Sequence, residues 1–145
     1  MTEIKGKIDE AERWFLQAKY DLDAVDWNLK GGYYDVACFL SQQTAEKVLK
    51  SLLYYLGERR RVIFSHSTVE LATESKEYVE SLEDILDDAR ELDLHYIPAR
   101  YPNSLASGYP HKFYSKSIAQ KAKDSATKIF KKVEDYYKLN KVEFI

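Results

Sequence analysis

Apolar residues recur along the first part of the chain at alternating steps of three and four: Ile8, Ala11, Phe15, Ala18, Leu22, Val25 and Leu29. On a helix of about 3.6 residues per turn this spacing draws a single stripe, so it predicts an amphipathic helix that stops at Gly31-Gly32. From Tyr33 to Leu56 the apolar positions form two neighbouring rows, Cys38, Ala45, Leu49, Leu52 and Leu56 in one and Ala37, Leu40 and Val48 beside it. A helix apolar over so wide an arc needs neighbours on several sides, and this one is expected to be the most buried. Beyond Gly57, Ser67-Thr68-Val69-Glu70 has the spacing of a capping box and predicts the start of a short helix. Val79, Leu82, Ile85, Leu86 and Ala89 predict a further amphipathic helix running to Leu92–Leu94. Pro98, Pro102 and Pro110 then mark a loop through about Lys112, and Ile118, Ala122, Ala126, Ile129, Val133 and Tyr136 line the face of a last helix. Long helices joined by short loops favour antiparallel neighbours. The expected fold is therefore all-α, an up-and-down antiparallel bundle of four main helices plus a short fifth.

Length and composition support one domain over residues 1–145, since a chain of this size hides roughly 68–70% of its unfolded surface and needs no staples. A single cysteine, Cys38, excludes a disulfide framework and every Cys-based zinc arrangement, and its place in an apolar row reads as core. His66, His95 and His111 are too scattered to form a familiar metal motif, so neither a metal nor a cofactor is expected. The N-terminus lacks the apolar core of a signal peptide and no segment approaches a membrane span; a cytoplasmic protein without membrane contact is expected.

The formal charge is −2, which argues against indiscriminate nucleic-acid binding. Charge is nevertheless segregated: residues 70–93 carry ten acids and two bases, whereas 111–132 carry seven Lys and one Asp. The two runs could be solvated faces that complement each other across the bundle, or Lys121, Lys128 and Lys132 could form a phosphate-facing row. The lack of interleaved Arg and of an exposed aromatic cluster beside that row weakens the second reading.

Three constellations carry candidate chemistry. Ser41 to Lys50 places amides, a carboxylate and two ammonium groups in the middle of the most apolar helix, with Gln43, Lys47 and Lys50 on one side and Gln42 and Glu46 on an adjoining strip. Such a strip could grip a nucleotide or fix a subunit interface; Glu46 and Lys50 could equally be a simple i, i+4 pair. In the second, Arg61 precedes His66 by five positions in a loop, and this pair supplies a cation and a proton acceptor suited to metal-independent RNA cleavage. The plain alternative is that His66 seats the following helix. In the third, Pro98 and Pro102 stiffen a segment offering Arg100 between Tyr96 and Tyr101, fit to hold a phosphate while a ring stacks on a base, or to close the end of the bundle. No GxxxxGKS/T, GxGxxG or GxSxG motif is present, which removes sequence support for P-loop, dinucleotide-binding and α/β-hydrolase classes.

The order of these pieces resembles the HEPN family, the higher eukaryotes and prokaryotes nucleotide-binding domain, over a core of about 11–137. The residues that carry the resemblance are Trp14 to Leu22 with its A-x-x-D-L segment, Gly32-x-Tyr34, and Ala37 followed by Gln42-Gln43-x-x-Glu46-Lys47-x-Leu49-Lys50. Gly57, His66, Leu71, Arg100-Tyr101-Pro102 and Pro110 follow in order. The Q-Q-x-x-E-K-x-L-K run is the specific part. The resemblance implies a five-helix bundle that commonly forms homodimers, paired with a separate small nucleotidyltransferase in a toxin–antitoxin-like module. It implies nucleotide binding, carried onto Gln43, Lys47, Lys50, Tyr96, Arg100 and Tyr101. Many members are RNases with four to six residues between an Arg and the His that follows it, a spacing that Arg61-x-x-x-x-His66 matches, although Val62 departs from the polar residue often found after that Arg. A polar strip without a complete set of catalytic groups favours a binding role, for a nucleotide or RNA, over catalysis. The alternatives are a metal-independent endoribonuclease joining Arg61 and His66 across a dimer, and a non-catalytic interaction scaffold.

Overall fold

Two glycines set the lengths of the first two helices. In the computed structural model, which describes residues 2–58 and 60–145, α1 spans Thr2–Gly31 and α2 spans Tyr34–Tyr55. Gly32 and Gly57 take φ of 83° and 84°, the left-handed region where a side chain is strained. The next amide then reaches back to the helix, Tyr33 N to Asn28 O at 2.9 Å and Glu58 N to Leu53 O at 2.9 Å, so both helices end in the same closed turn. With only Gly32-Tyr33 between them, α1 and α2 run antiparallel and pack along their lengths.

The remaining helices are α3 (Thr68–Lys76), α4 (Leu86–Asp93), the single turn α5 (Pro110–Phe113) and α6 (Lys116–Leu139). Among the described residues there is no strand, and the all-α up-and-down bundle expected from the sequence is the observed fold. The helix expected from Val79 differs in its first half: Glu80–Ile85 is a 3₁₀ turn, and α-helix begins only at Leu86. The reason is visible in the spacing. Val79, Leu82 and Ile85 are buried at strict intervals of three, which eclipses them on one side of a 3₁₀ turn. Leu86, Ala89 and Leu92 then take up the core contacts as an α-helix.

As its wide apolar arc predicts, α2 lies at the centre and packs against α1, α3, α4, α5 and α6. Val48, Leu49, Leu52 and Leu53 are inaccessible to solvent, and each such side chain contributes about 1.5–3 kcal/mol by burial. Ser51 ties three helices together through its hydroxyl, 2.6 Å from Ala11 O and 2.7 Å from Tyr137 Oη. Burial drives the Tyr137 phenol well above its ordinary pKa, so it stays a neutral hydrogen-bonding group. Cys38 is likewise core, its thiol pushed up to about 12, first by burial and then by the nearby Asp35 charge.

The segregated charges meet. Lys121, Lys128 and Lys132 of α6 reach Glu91, Asp88 and Asp84 at 3.0, 3.4 and 3.2 Å, so the basic run complements the acidic one across the α4–α6 seam. Among the described residues no His/Cys/Asp/Glu cluster could hold a metal, and no helix is long and apolar enough to cross a membrane.

Candidate functional site

The polar strip of α2 faces inward over much of its length. Gln42 is fully buried and donates from Nε2 to His66 O at 2.9 Å and to Thr68 Oγ1 at 3.3 Å, which fixes the chain entering α3. Glu46 lies one turn further on, its carboxylate 3.3 Å from Lys50 Nζ and 3.4 Å from His66 Nδ1. Lys50 is itself buried and its ammonium sits over the Trp14 ring, 5.3 Å from the centroid. An ammonium paired with a carboxylate on one side and capped by an indole on the other is neutralised within the fold.

Gln43 and Lys47 are closer to the surface. Gln43 donates to Gln42 Oε1 at 2.8 Å, and Lys47 pairs with Asp21 at 2.7 Å while Gln17 donates to the other Asp21 oxygen at 2.9 Å. Lys47 lines a shallow recess with Glu10, Arg13, Trp14 and Gln17. Of the strip residues singled out by sequence, Gln43 and Lys47 border solvent and Lys50 does not.

The entry to α3 is held by a carboxylate that no sequence motif marks. Ser67 accepts from Glu70 N at 3.2 Å, the first half of the expected capping box. The reciprocal half is absent: Glu70 accepts from the Ser65 hydroxyl at 2.5 Å instead. Asp93, from the end of α4, accepts from Thr68 N at 2.6 Å, Val69 N at 3.2 Å and the Ser67 hydroxyl at 2.7 Å. A carboxylate satisfying the free amides of the first turn also favours the positive end of the α3 dipole. Asp93 closes an acidic run of ordinary appearance, so no local signal distinguishes it.

His66 projects from this fixed entry. Its side chain is 63% exposed, and the ring stacks on Tyr96 with centroids 5.4 Å apart and planes 14° from parallel. Tyr96 O accepts from Arg100 Nε at 2.8 Å, which closes the loop on itself. The Arg100 guanidinium carbon lies 4.3, 4.8 and 5.0 Å from the ring centroids of Phe39, Tyr96 and Tyr101. Among the described residues no carboxylate pairs with Arg100. Its remaining N–H donors are held among aromatic faces without an internal acceptor, the environment in which a planar cation takes up an anion from solution. Phe39, the platform under this cation, lies on α2 outside both apolar rows, and no local signal marks it.

The structure thus gathers Tyr96, Arg100 and Tyr101 around one cation, adds His66 to them, and joins the group to the α2 strip through the Glu46–His66 contact. Among the described residues no hydrogen bond, ion pair or ring contact joins Arg61 to His66 within one chain. Arg61 belongs to the 3₁₀ turn Arg61–Phe64 and lines a recess with Val69, Glu70 and Thr73, His66 lines a neighbouring one with Ser67, Asp93 and Tyr96, and Ser65 borders both. His95, the next histidine along, is part-buried; burial lowers its pKa against the opposing charge of Glu91.

Comparisons agree with this architecture. The chain is 36% identical to TT1696 of Thermus thermophilus, whose crystal structure superposes with a TM-score of 0.80 over 87% of this chain and 97% of that one. ST0689, described as an archaeal HEPN homologue, is 37% identical with a TM-score of 0.73 over 88% of this chain and 97% of its own. Across 95% of both lengths the chain is also 26% identical to "Putative toxin MJ1304" of Methanocaldococcus jannaschii. The HEPN domain profile matches residues 11–136, nearly the whole bundle, and on that extent the chain belongs to the HEPN domain family.

Proposed function

We propose that this chain is the nucleotide- or RNA-binding HEPN member of a toxin–antitoxin-like pair, acting as a homodimer with a separate small nucleotidyltransferase. The observation that carries the binding reading is Arg100, a guanidinium held among Phe39, Tyr96 and Tyr101 with no carboxylate partner among the described residues and with exposed His66 stacked alongside. A phosphate on Arg100 would leave the base to lie against a tyrosine face. Family membership and the archaeal relative whose name carries the word toxin support the paired-module reading.

The test is titration with AMP, ATP and GTP, followed by Tyr and Trp fluorescence and by melting temperature, on the wild type and on Arg100→Ala. Saturable binding weakened about tenfold or more by the substitution is expected. No response at millimolar nucleotide would sink the binding reading. Co-expression with nucleotidyltransferase genes, read by co-purification, tests the partner, and light scattering tests the dimer.

One contact favours a second reading, a metal-independent endoribonuclease. Glu46, 3.4 Å from His66 Nδ1, orients an imidazole that is otherwise largely open to solvent, as a general base requires. In this reading the cation would come from Arg61 of a second subunit, because no contact links Arg61 to His66 within one chain among the described residues. Cleavage of labelled RNA in EDTA that is lost in both Arg61→Ala and His66→Ala would establish it; cleavage absent, or surviving both changes, would exclude it.

A further inference from the structure

The nucleotide reading leaves unused a recess of about 660 Å³ between the 3₁₀ turn Arg61–Phe64 and the outer face of α3. Its shape comes from Ile63. That side chain is buried in the core, and successive residues of a 3₁₀ turn point about 120° apart, so Val62 and Phe64 are turned to either side of it. Phe64 is left 72% exposed. Hydrogen bonds hold it there: Ser65 N closes the turn on Val62 O at 2.9 Å, and the Ser65 hydroxyl, donating to Glu70, accepts from Ser67 N at 2.9 Å. One exposed apolar side chain needs no explanation, but Val62, Phe64 and Val69 line the same recess. Covering them removes apolar surface from water, which favours association.

Charges of both signs flank this apolar patch. On the turn, Arg61 is engaged by no hydrogen bond or ion pair among the described residues. On α3 stand Glu70 and Glu74, one helical turn apart. Arg60 already pairs with Glu74, so the open carboxylate is that of Glu70, which holds a hydroxyl and not a cation. A polyanion would gain Arg61 and meet both glutamates in the same recess, which disfavours nucleic acid. An amphipathic helix meets it differently, because an apolar stripe with a polar edge on either side presents a carboxylate, an apolar group and an ammonium side by side. Cation, apolar patch and carboxylate are then matched one by one.

We propose that this recess docks an amphipathic helix of a partner protein. Its apolar stripe lies on Val62, Phe64 and Val69, a carboxylate of one edge on Arg61, and a Lys or Arg of the other edge on Glu70. The two edges fix the direction of the helix, because turning it end for end sets like charges opposite each other. Ser65 also borders the recess of His66, so a helix docked here lies beside the candidate site without occupying it.

The experiment is fluorescence anisotropy with a labelled helical peptide of about 14 residues, or about four turns, carrying a Leu stripe with Glu along one edge and Lys along the other. Two control peptides carry Lys on both edges or Glu on both, and melting curves confirm that each protein variant is folded. The mixed peptide is expected to bind at least about fivefold more tightly than either control, and Phe64→Ser to weaken it about tenfold or more. Arg61→Glu leaves acids on both sides and is expected to make the all-Lys-edge peptide the tightest of the three; Glu70→Lys is expected to do the same for the all-Glu-edge peptide. A loss of fold cannot produce either inversion. Equal binding of the three peptides, preferences unmoved by the charge changes, or no binding at about 1 mM peptide overturns the docking site. Light scattering tests another occupant: a wild-type dimer that Phe64→Ser splits assigns the recess to a second copy of this chain and likewise overturns the proposal.

Discussion

Lys50 and Arg100 are both cations set against aromatic rings, yet their surroundings assign them opposite work. Lys50 is buried, paired with Glu46 at 3.3 Å and capped by Trp14, inside the most apolar helix of the bundle. Arg100 is on a proline-stiffened loop, set against three rings, with one backbone acceptor and no carboxylate among the described residues. A buried charge must be satisfied from within because water cannot reach it; a part-exposed cation on a rigid platform keeps donors for something else. What separates a structural cation from a ligand-ready one is thus the location of its counter-charge.

The contrast is broken most forcefully at Glu46. Removing the carboxylate in Glu46→Ala strands the Lys50 ammonium, and a loss of about 3–5 kcal/mol in urea unfolding is expected, the cost typical of leaving one partner of a buried pair. Glu46→Ala with Lys50→Met should recover much of it, since an apolar replacement of both partners removes the stranded charge. A loss below about 1 kcal/mol for the single change would show that Lys50 is not held by Glu46. Asp93→Ala comes next. It frees two amides and a hydroxyl at the start of α3, and about 1–2 kcal/mol is expected, with the seat of His66 loosened and nucleotide affinity falling in parallel.

A smaller effect is read by pH at His95, outside both regions. Burial holds the His95 imidazole below its ordinary pKa, so the unfolded chain takes up a proton more readily than the folded one. Stability from this group is complete above about 6.5, the unfolded value, and is lost as pH falls from there towards the depressed folded value. Melting temperature should therefore decline on acidification through this window, and His95→Gln should flatten the decline; an unaltered profile would place the effect elsewhere.

The fold was legible because the core is written in residues one can count: the steps of three and four in α1, the double row of α2, and Gly32 and Gly57 where the helices stop. The 3₁₀ turn at Glu80–Ile85 was also written there, in the strict threes of Val79, Leu82 and Ile85, but the apolar residues that follow it continue in helical register and mask the change. The site was legible only by residue type. Tyr96, Arg100 and Tyr101 are neighbours in sequence, so their grouping follows from the loop. Phe39 under Arg100, Asp93 at the start of α3 and Asp35 beside His111 are joined by tertiary packing across 25 to 76 positions, and nothing local distinguishes them from any other phenylalanine or aspartate.

The mildest prediction concerns the lysine row that the sequence left between two readings. Lys121, Lys128 and Lys132 each face an acid of the α4 side, and pairs so exposed contribute about 0.2–1 kcal/mol apiece and less in high salt. Changing all three to Ala should lower stability by no more than about 2 kcal/mol, with most of that difference gone at about 1 M salt, where the screening length is about 3 Å. Nucleotide affinity should hold within about twofold, because the row's charge is spent on Glu91, Asp88 and Asp84. A larger fall in affinity than in stability would make α6, not the Arg100 loop, the phosphate-facing element. The contrast would then have to be redrawn, because paired surface lysines would have proved as available to a ligand as an unpaired arginine.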